Sequence, residues 1–186
     1  MTPYRLLRGL STIELYGLLG KYSKAGLKGL RQWEISRLAS AEPVYFRGTS
    51  EGFPGSAALQ RIGITPASTD PVVATIFATE SSNYGRGVVY IATSEDLAGA
   101  SIGQGNVLAA TELEVGVGLA PSEFAGRAGL TVSASQARAI LQEMGVSIPT
   151  SIRGPAGVTE ALANTPRLTP AQISQFIERA IELGGR

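Results

Sequence analysis

Glu42-Pro43-Val44-Tyr45-Phe46-Arg47-Gly48 is where the composition of the chain changes and where its fold class is decided. Val44, Tyr45 and Phe46 favour a pleated, half-buried surface, and Gly48 stops the run, so the stretch reads as a strand with an arginine at its end. Upstream, Leu6, Leu7, Leu10 and Ile13, then Leu27, Leu30, Ile35 and Leu38, recur at helical spacing, interrupted by Gly17, Gly20, Gly26 and Gly29. Downstream, short strands alternate with helices. Val88-Val89-Tyr90-Ile91-Ala92 is a second strand after the turn Asn83-Tyr84-Gly85-Arg86-Gly87, and a polar, glycine-rich stretch from Gly99 to Gly105 leads to a third around Thr111 to Leu119.

The helices carry their own start signals. A short helical stretch is expected near Ala57 to Arg61. Asp70 is placed to cap a helix whose first residue is Pro71 and whose body runs through Val72-Val73-Ala74-Thr75-Ile76-Phe77-Ala78. Ser133 with Gln136, and Thr169 with Gln172, have capping-box spacing, and Gly145 ends the helix that Ser133 opens. Ile173, Phe176, Ile177 and Ala180 form one apolar face of the last helix. The expectation is an α+β protein in three parts: a basic helical segment over 1–41, a β-core over 42–132, and C-terminal helices over 133–186 packed on that core.

Composition limits the chemistry. The 186 residues are 44% hydrophobic, with 23 Gly and 10 Pro, which suits one compact domain with many turns and short strands. The chain has no histidine and no cysteine. Disulfides, thiolate nucleophiles, Ser–His and Cys–His catalysis, and metal sites built on thiolate or imidazole are therefore excluded. Carboxylates, guanidinium and ammonium groups, hydroxyls and backbone must carry any reaction, and no metal is expected. The net charge of +1 is unevenly spread: residues 1–40 hold seven Lys/Arg against Glu14 and Glu34, a net +5, and the remainder is −4. No run approaches the roughly 20 apolar residues that span a bilayer, so a soluble protein without a membrane partner is expected. Arg5 and Arg8 interrupt the apolar start and no small-residue cleavage site follows, so export would use a route other than a cleaved signal peptide.

In the third strand, alternation places Leu113, Val115, Val117 and Leu119 on one face and Glu112, Glu114, Gly116 and Gly118 on the other. Two carboxylates then point the same way, about 7 Å apart, beside glycines that leave room for a ligand. Each feature also has a plain structural reading. The glutamates suit the solvent face of an amphipathic strand, Arg47 an ion-pairing position, Ser68-Thr69-Asp70-Pro71 a helix cap, and Phe77 and Tyr84 core and turn positions.

Taken in order, Tyr45-Phe46-Arg47-Gly48, then Ser68-Thr69-Asp70 with Val73-Ala74 and Phe77-Ala78, then Glu112-Leu113-Glu114-Val115, resemble the ADP-ribosyltransferase family. The likeness is to the clade with an arginine on the first core strand, Ser-Thr-Ser on the second and Glu-x-Glu near the fifth. It spans roughly residues 43–120, and Asp70 departs from it where the family has the second serine. The resemblance implies two packed, mostly antiparallel β-sheets with flanking helices. It also implies an enzyme that consumes NAD as substrate, cleaves the nicotinamide–ribose bond and transfers ADP-ribose to a protein or nucleic-acid acceptor.

By the same resemblance, Glu114 stabilises the oxocarbenium-like cation of bond cleavage and Glu112 orients or deprotonates the acceptor. Arg47 anchors the dinucleotide through its planar fork of donors, and Gly48 lets backbone approach the ligand. Ser68 and Thr69 support the site, and Phe77 and Tyr84 are candidates to pack on the nicotinamide ring. Small size and family likeness together suggest the C-terminal toxin domain of a secreted bacterial effector. Such a domain would act in the target-cell cytoplasm during interbacterial competition and be matched by a cognate immunity protein. Two rivals stay open on the sequence alone: an NAD glycohydrolase that transfers ADP-ribose only to water, and a non-enzymatic binding module whose basic head recognises protein or nucleic acid.

Overall fold

The computed structural model describes residues 43–53, 63–104 and 114–184. The basic segment 1–41, the helix expected near Ala57 to Arg61, and Thr111, Glu112 and Leu113 lie outside these described residues. Strand β1 (Val44–Ser50) is central. With β2 (Thr65–Ser68), β3 (Gly87–Thr93), β4 (Ile102–Gln104), β5 (Glu114–Val117) and β6 (Leu130–Ser133) it forms a six-stranded sheet of order β4-β5-β2-β1-β3-β6. Every pairing in it is antiparallel. Among the described residues the helices are α1 (Pro71–Ser81), α2 (Pro121–Arg127), α3 (Ala134–Glu143), α4 (Gly154–Asn164) and α5 (Pro170–Gly184).

The α+β class holds, but the two packed sheets expected from the family likeness are not what the described residues form. They make one sheet whose halves meet at a narrow seam. β1 and β3 are in register from Val44↔Thr93 to Ser50↔Gly87, and β2 and β5 from Thr65↔Val117 to Ser68↔Glu114, whereas β1 and β2 share the single register pair Phe46↔Ser68. Pro66, inside β2, has no N–H to offer a neighbouring strand. The seam stays continuous yet barely zipped, and that is what opens the site described below.

Apolar residues cover both faces of the sheet, which explains why β1 and β3 read as unbroken apolar runs. On one face Phe46, Val89 and Ile91 pack with Val72 and Ile76 of α1, Ile140 and Leu141 of α3, and Phe176 and Ile177 of α5. Phe46 and Phe176 meet edge to face, with ring centroids 5.9 Å apart and planes at 82°. On the other face Tyr45, Ala92, Leu97, Val117, Leu119 and Phe124 of α2 form a smaller cluster. The expected capping boxes are present: Ser133 Oγ accepts from the Gln136 N–H while Gln136 Oε1 accepts from the Ser133 N–H, and Thr169 and Gln172 exchange the same two bonds. Gly145 ends α3 with φ 80°, a conformation that other side chains resist. The expected boundary at 132 falls inside β6, whose last residue is the cap of α3.

Asp70 ties the start of α1 to the segment that leads into α5. One carboxylate oxygen accepts the Val72 N–H at 2.8 Å and so caps α1, and the other accepts the Leu168 N–H at 2.9 Å just before α5. Burial pushes its carboxyl above the ordinary value, while the bonds to Leu168 and Val72 and the Arg167 charge pull it back. The folded state therefore holds a proton at this group more tightly than the unfolded state, so acidification does not remove stability through Asp70. Asp70→Ala strips a cap and leaves two donors unsatisfied, and should lower unfolding free energy by about 2 kcal/mol in urea titration. An unchanged midpoint would mean that water replaces both bonds at no cost.

Candidate functional site

β1, β2 and β5 are neighbours in the sheet, and the register aligns their motif positions. Ser68, the last residue of β2, pairs with Phe46 on one side and with Glu114 on the other, and Arg47 follows Phe46. The three family-like positions, far apart in sequence, thus fall side by side across three adjacent strands.

Where β1 and β2 separate, a cavity of about 310 Å³ opens, lined by Arg47, Gly48, Thr49, Pro66, Ser68 and, from α1, Phe77. Its volume is at the lower end of the range typical of small-molecule sites. Arg47 is 5% exposed, and its Nη1 donates to the Pro66 carbonyl at 3.0 Å. A side chain therefore bridges the seam where the backbone ladder is missing. No carboxylate pairs with this guanidinium among the described residues. Burial pulls its pKa down to about 10, partly offset by Tyr90, its register partner on β3, so it is still a cation near neutral pH. A buried cation is costly unless something compensates it. One carbonyl bond does little of that, so a ligand anion has a strong electrostatic reason to enter.

The other expected site residues fall as follows. Ser68 is buried on the cavity wall, with its Oγ accepting the Asp70 N–H at 3.1 Å. Asp70 itself, the departure from the family pattern, is used up as cap and clamp. Phe77 lines the cavity and packs on the main core. Thr69 is half-buried and Tyr84 is 75% exposed in the turn after α1, and neither lines the cavity. Glu112 lies outside the described residues.

Gly48 lines the cavity, yet the backbone that approaches it closely belongs to the protein. A Cβ there would overlap the Ala74 carbonyl and lie 2.8 Å from the Ala78 nitrogen, so α1 occupies that side of the strand. The glycines of β5 and its extension behave similarly. A Cβ at Gly116 would stand 3.2 Å from Ile64 Cγ2, and one at Gly118 would strike Ser101 Oγ, so neighbouring segments fill space that the sequence offered to a ligand.

Five cavity residues were not anticipated: Thr49, Phe53, Pro66, Ala67 and Ser81. Thr49 had a signal, since it lies two residues beyond Arg47 on the same strand face. Phe53 and Ser81 had none, because a loop and a helix end bring them in. No protein-family model, curated protein or solved structure matches the chain.

Proposed function

We propose that the chain is an NAD-dependent mono-ADP-ribosyltransferase acting on a protein or nucleic-acid acceptor. The observation that carries this reading is the buried Arg47 guanidinium, without a carboxylate partner among the described residues, on the wall of a cavity shared with Ser68, which is itself in strand register with Glu114. An NAD diphosphate answers the uncompensated charge, and the apolar wall at Phe77 suits a planar ring.

In this reading the bond between ribose and nicotinamide nitrogen breaks, and its electron pair leaves with nicotinamide. The ribose carbon becomes cationic and the Glu114 carboxylate stabilises it electrostatically. The acceptor then donates a lone pair to that carbon, and its proton passes to the Glu112 carboxylate. Family likeness further suggests a secreted bacterial effector that works in a target-cell cytoplasm and is held in check by an immunity protein. Incubation with labelled NAD and bacterial lysate, with and without nuclease, tests transfer and sorts the acceptor. Label on macromolecules is expected, and free ADP-ribose alone would reduce the activity to hydrolysis.

Arg47→Lys keeps the charge and loses the planar fork. NAD affinity measured by calorimetry should fall about tenfold, roughly 1.4 kcal/mol. Unchanged affinity would assign Arg47 to the sheet seam alone.

A further inference from the structure

Thr49 is 5% exposed, lies two residues beyond Arg47 on β1, and lines the same cavity. Its hydroxyl has no hydrogen-bond partner among the described residues. Other buried threonines differ: Thr65 donates to the Leu119 carbonyl at 2.7 Å, Thr75 to that of Pro71 at 2.6 Å, and Thr79 to that of Thr75 at 2.8 Å. The hydroxyl is not among the sealed, unsatisfied side-chain atoms of the described residues, so it stands open to the cavity and can bond a ligand there. Strand alternation puts Thr49 on the face of β1 that carries Arg47, one pleat repeat away, about 7 Å along the strand. The Arg47 guanidinium, with one N–H given to Pro66, has its other donors unengaged among the described residues.

We propose that Thr49 and Arg47 together form a diphosphate-binding subsite, in which the Thr49 hydroxyl donates to one phosphoryl oxygen while the guanidinium takes others. A guanidinium can only donate, so whatever lies between the two residues must offer several acceptor lone pairs. Two linked phosphoryl groups offer them over a span comparable to the separation of the two side chains along β1. The proposal rests on Arg47 being the anion anchor of the transferase reading, and it adds a second residue and a ligand class that do not require bond cleavage.

Calorimetry on the full chain, with inorganic pyrophosphate, ADP and malonate as probes, tests it in the wild type, Thr49→Val and Thr49→Ser. The wild type should bind pyrophosphate and ADP more tightly than malonate. Thr49→Val should weaken both phosphate ligands about tenfold, and Thr49→Ser should restore them to within about twofold. The thermal midpoint of ligand-free Thr49→Val should equal or exceed that of the wild type, which a structural role for the hydroxyl would not allow. The proposal is overturned if wild type binds neither phosphate ligand, if malonate binds as well as pyrophosphate, if Thr49→Val binds normally, or if its midpoint drops. Loss of pyrophosphate binding in Thr49→Val, in a protein that releases no nicotinamide from NAD, would keep the subsite and remove the transferase.

Discussion

Glu114→Gln will lower nicotinamide release from NAD at least about a hundredfold, on the order of 3 kcal/mol of transition-state stabilisation, with little change in NAD affinity. Glutamine keeps the size of the side chain and removes the charge. A charge matters most where positive charge develops, and in glycosidic cleavage it develops at the ribose carbon as nicotinamide departs. Position 114 begins β5, opposite Ser68, on the strand two removed from the one that carries Arg47. The neighbouring ladder, Ala67↔Val115 and Gln104↔Val115, holds the strand through backbone that the substitution leaves alone. Nicotinamide quantified by chromatography, beside circular dichroism of the same sample, reads the result. Turnover close to wild type from folded Glu114→Gln would place the cleavage chemistry elsewhere.

Gly48→Ala will destabilise the fold by about 3 kcal/mol and lower the thermal midpoint by roughly 10 °C. The new methyl would meet the Ala74 carbonyl, its carbon at 2.6 Å and the Ala78 nitrogen at 2.8 Å, all of them backbone of α1. A flexible side chain could turn away, but a helix backbone can retreat only as a unit. Retreat would part α1 from β1 and loosen the packing of Val72 and Ile76 around Phe46. Because Gly48 also lines the cavity, ligand binding should weaken with the fold. An alanine variant with an unchanged midpoint would show that α1 shifts freely, and the cavity would then lack a rigid wall.

The parts of the fold that were legible in the sequence are those set by local chemistry. Val44-Tyr45-Phe46 and Val88 to Ala92 are strands because both faces are buried, so apolar residues run on without alternation. Asp70-Pro71, Ser133 with Gln136, and Thr169 with Gln172 start helices because each cap is complete within four residues. Thr65-Pro66-Ala67-Ser68 was not legible as a strand, since a proline and small side chains give no strand signal. It becomes one through β5 and the burial of Ala67. Ile102-Gly103-Gln104 and Leu130-Thr131-Val132-Ser133 were missed for a different reason, being too short to show a period.

At the candidate site, motif order singled out Arg47, Ser68 and Phe77, which the fold brings to one cavity. It could not tell that Asp70 would be used to fasten α5, or that the glycines at 48, 116 and 118 make room for protein. Those outcomes depend on which distant segment arrives beside each residue, and local pattern does not encode that.

The most direct measurement is nicotinamide release from NAD by the wild-type full chain, followed over time with the fold monitored in parallel. Nicotinamide should accumulate with saturable dependence on NAD, and Arg47→Lys should need more NAD to reach the same rate. NAD left intact by a folded protein, with or without bacterial lysate as a source of acceptor, would contradict the proposed activity.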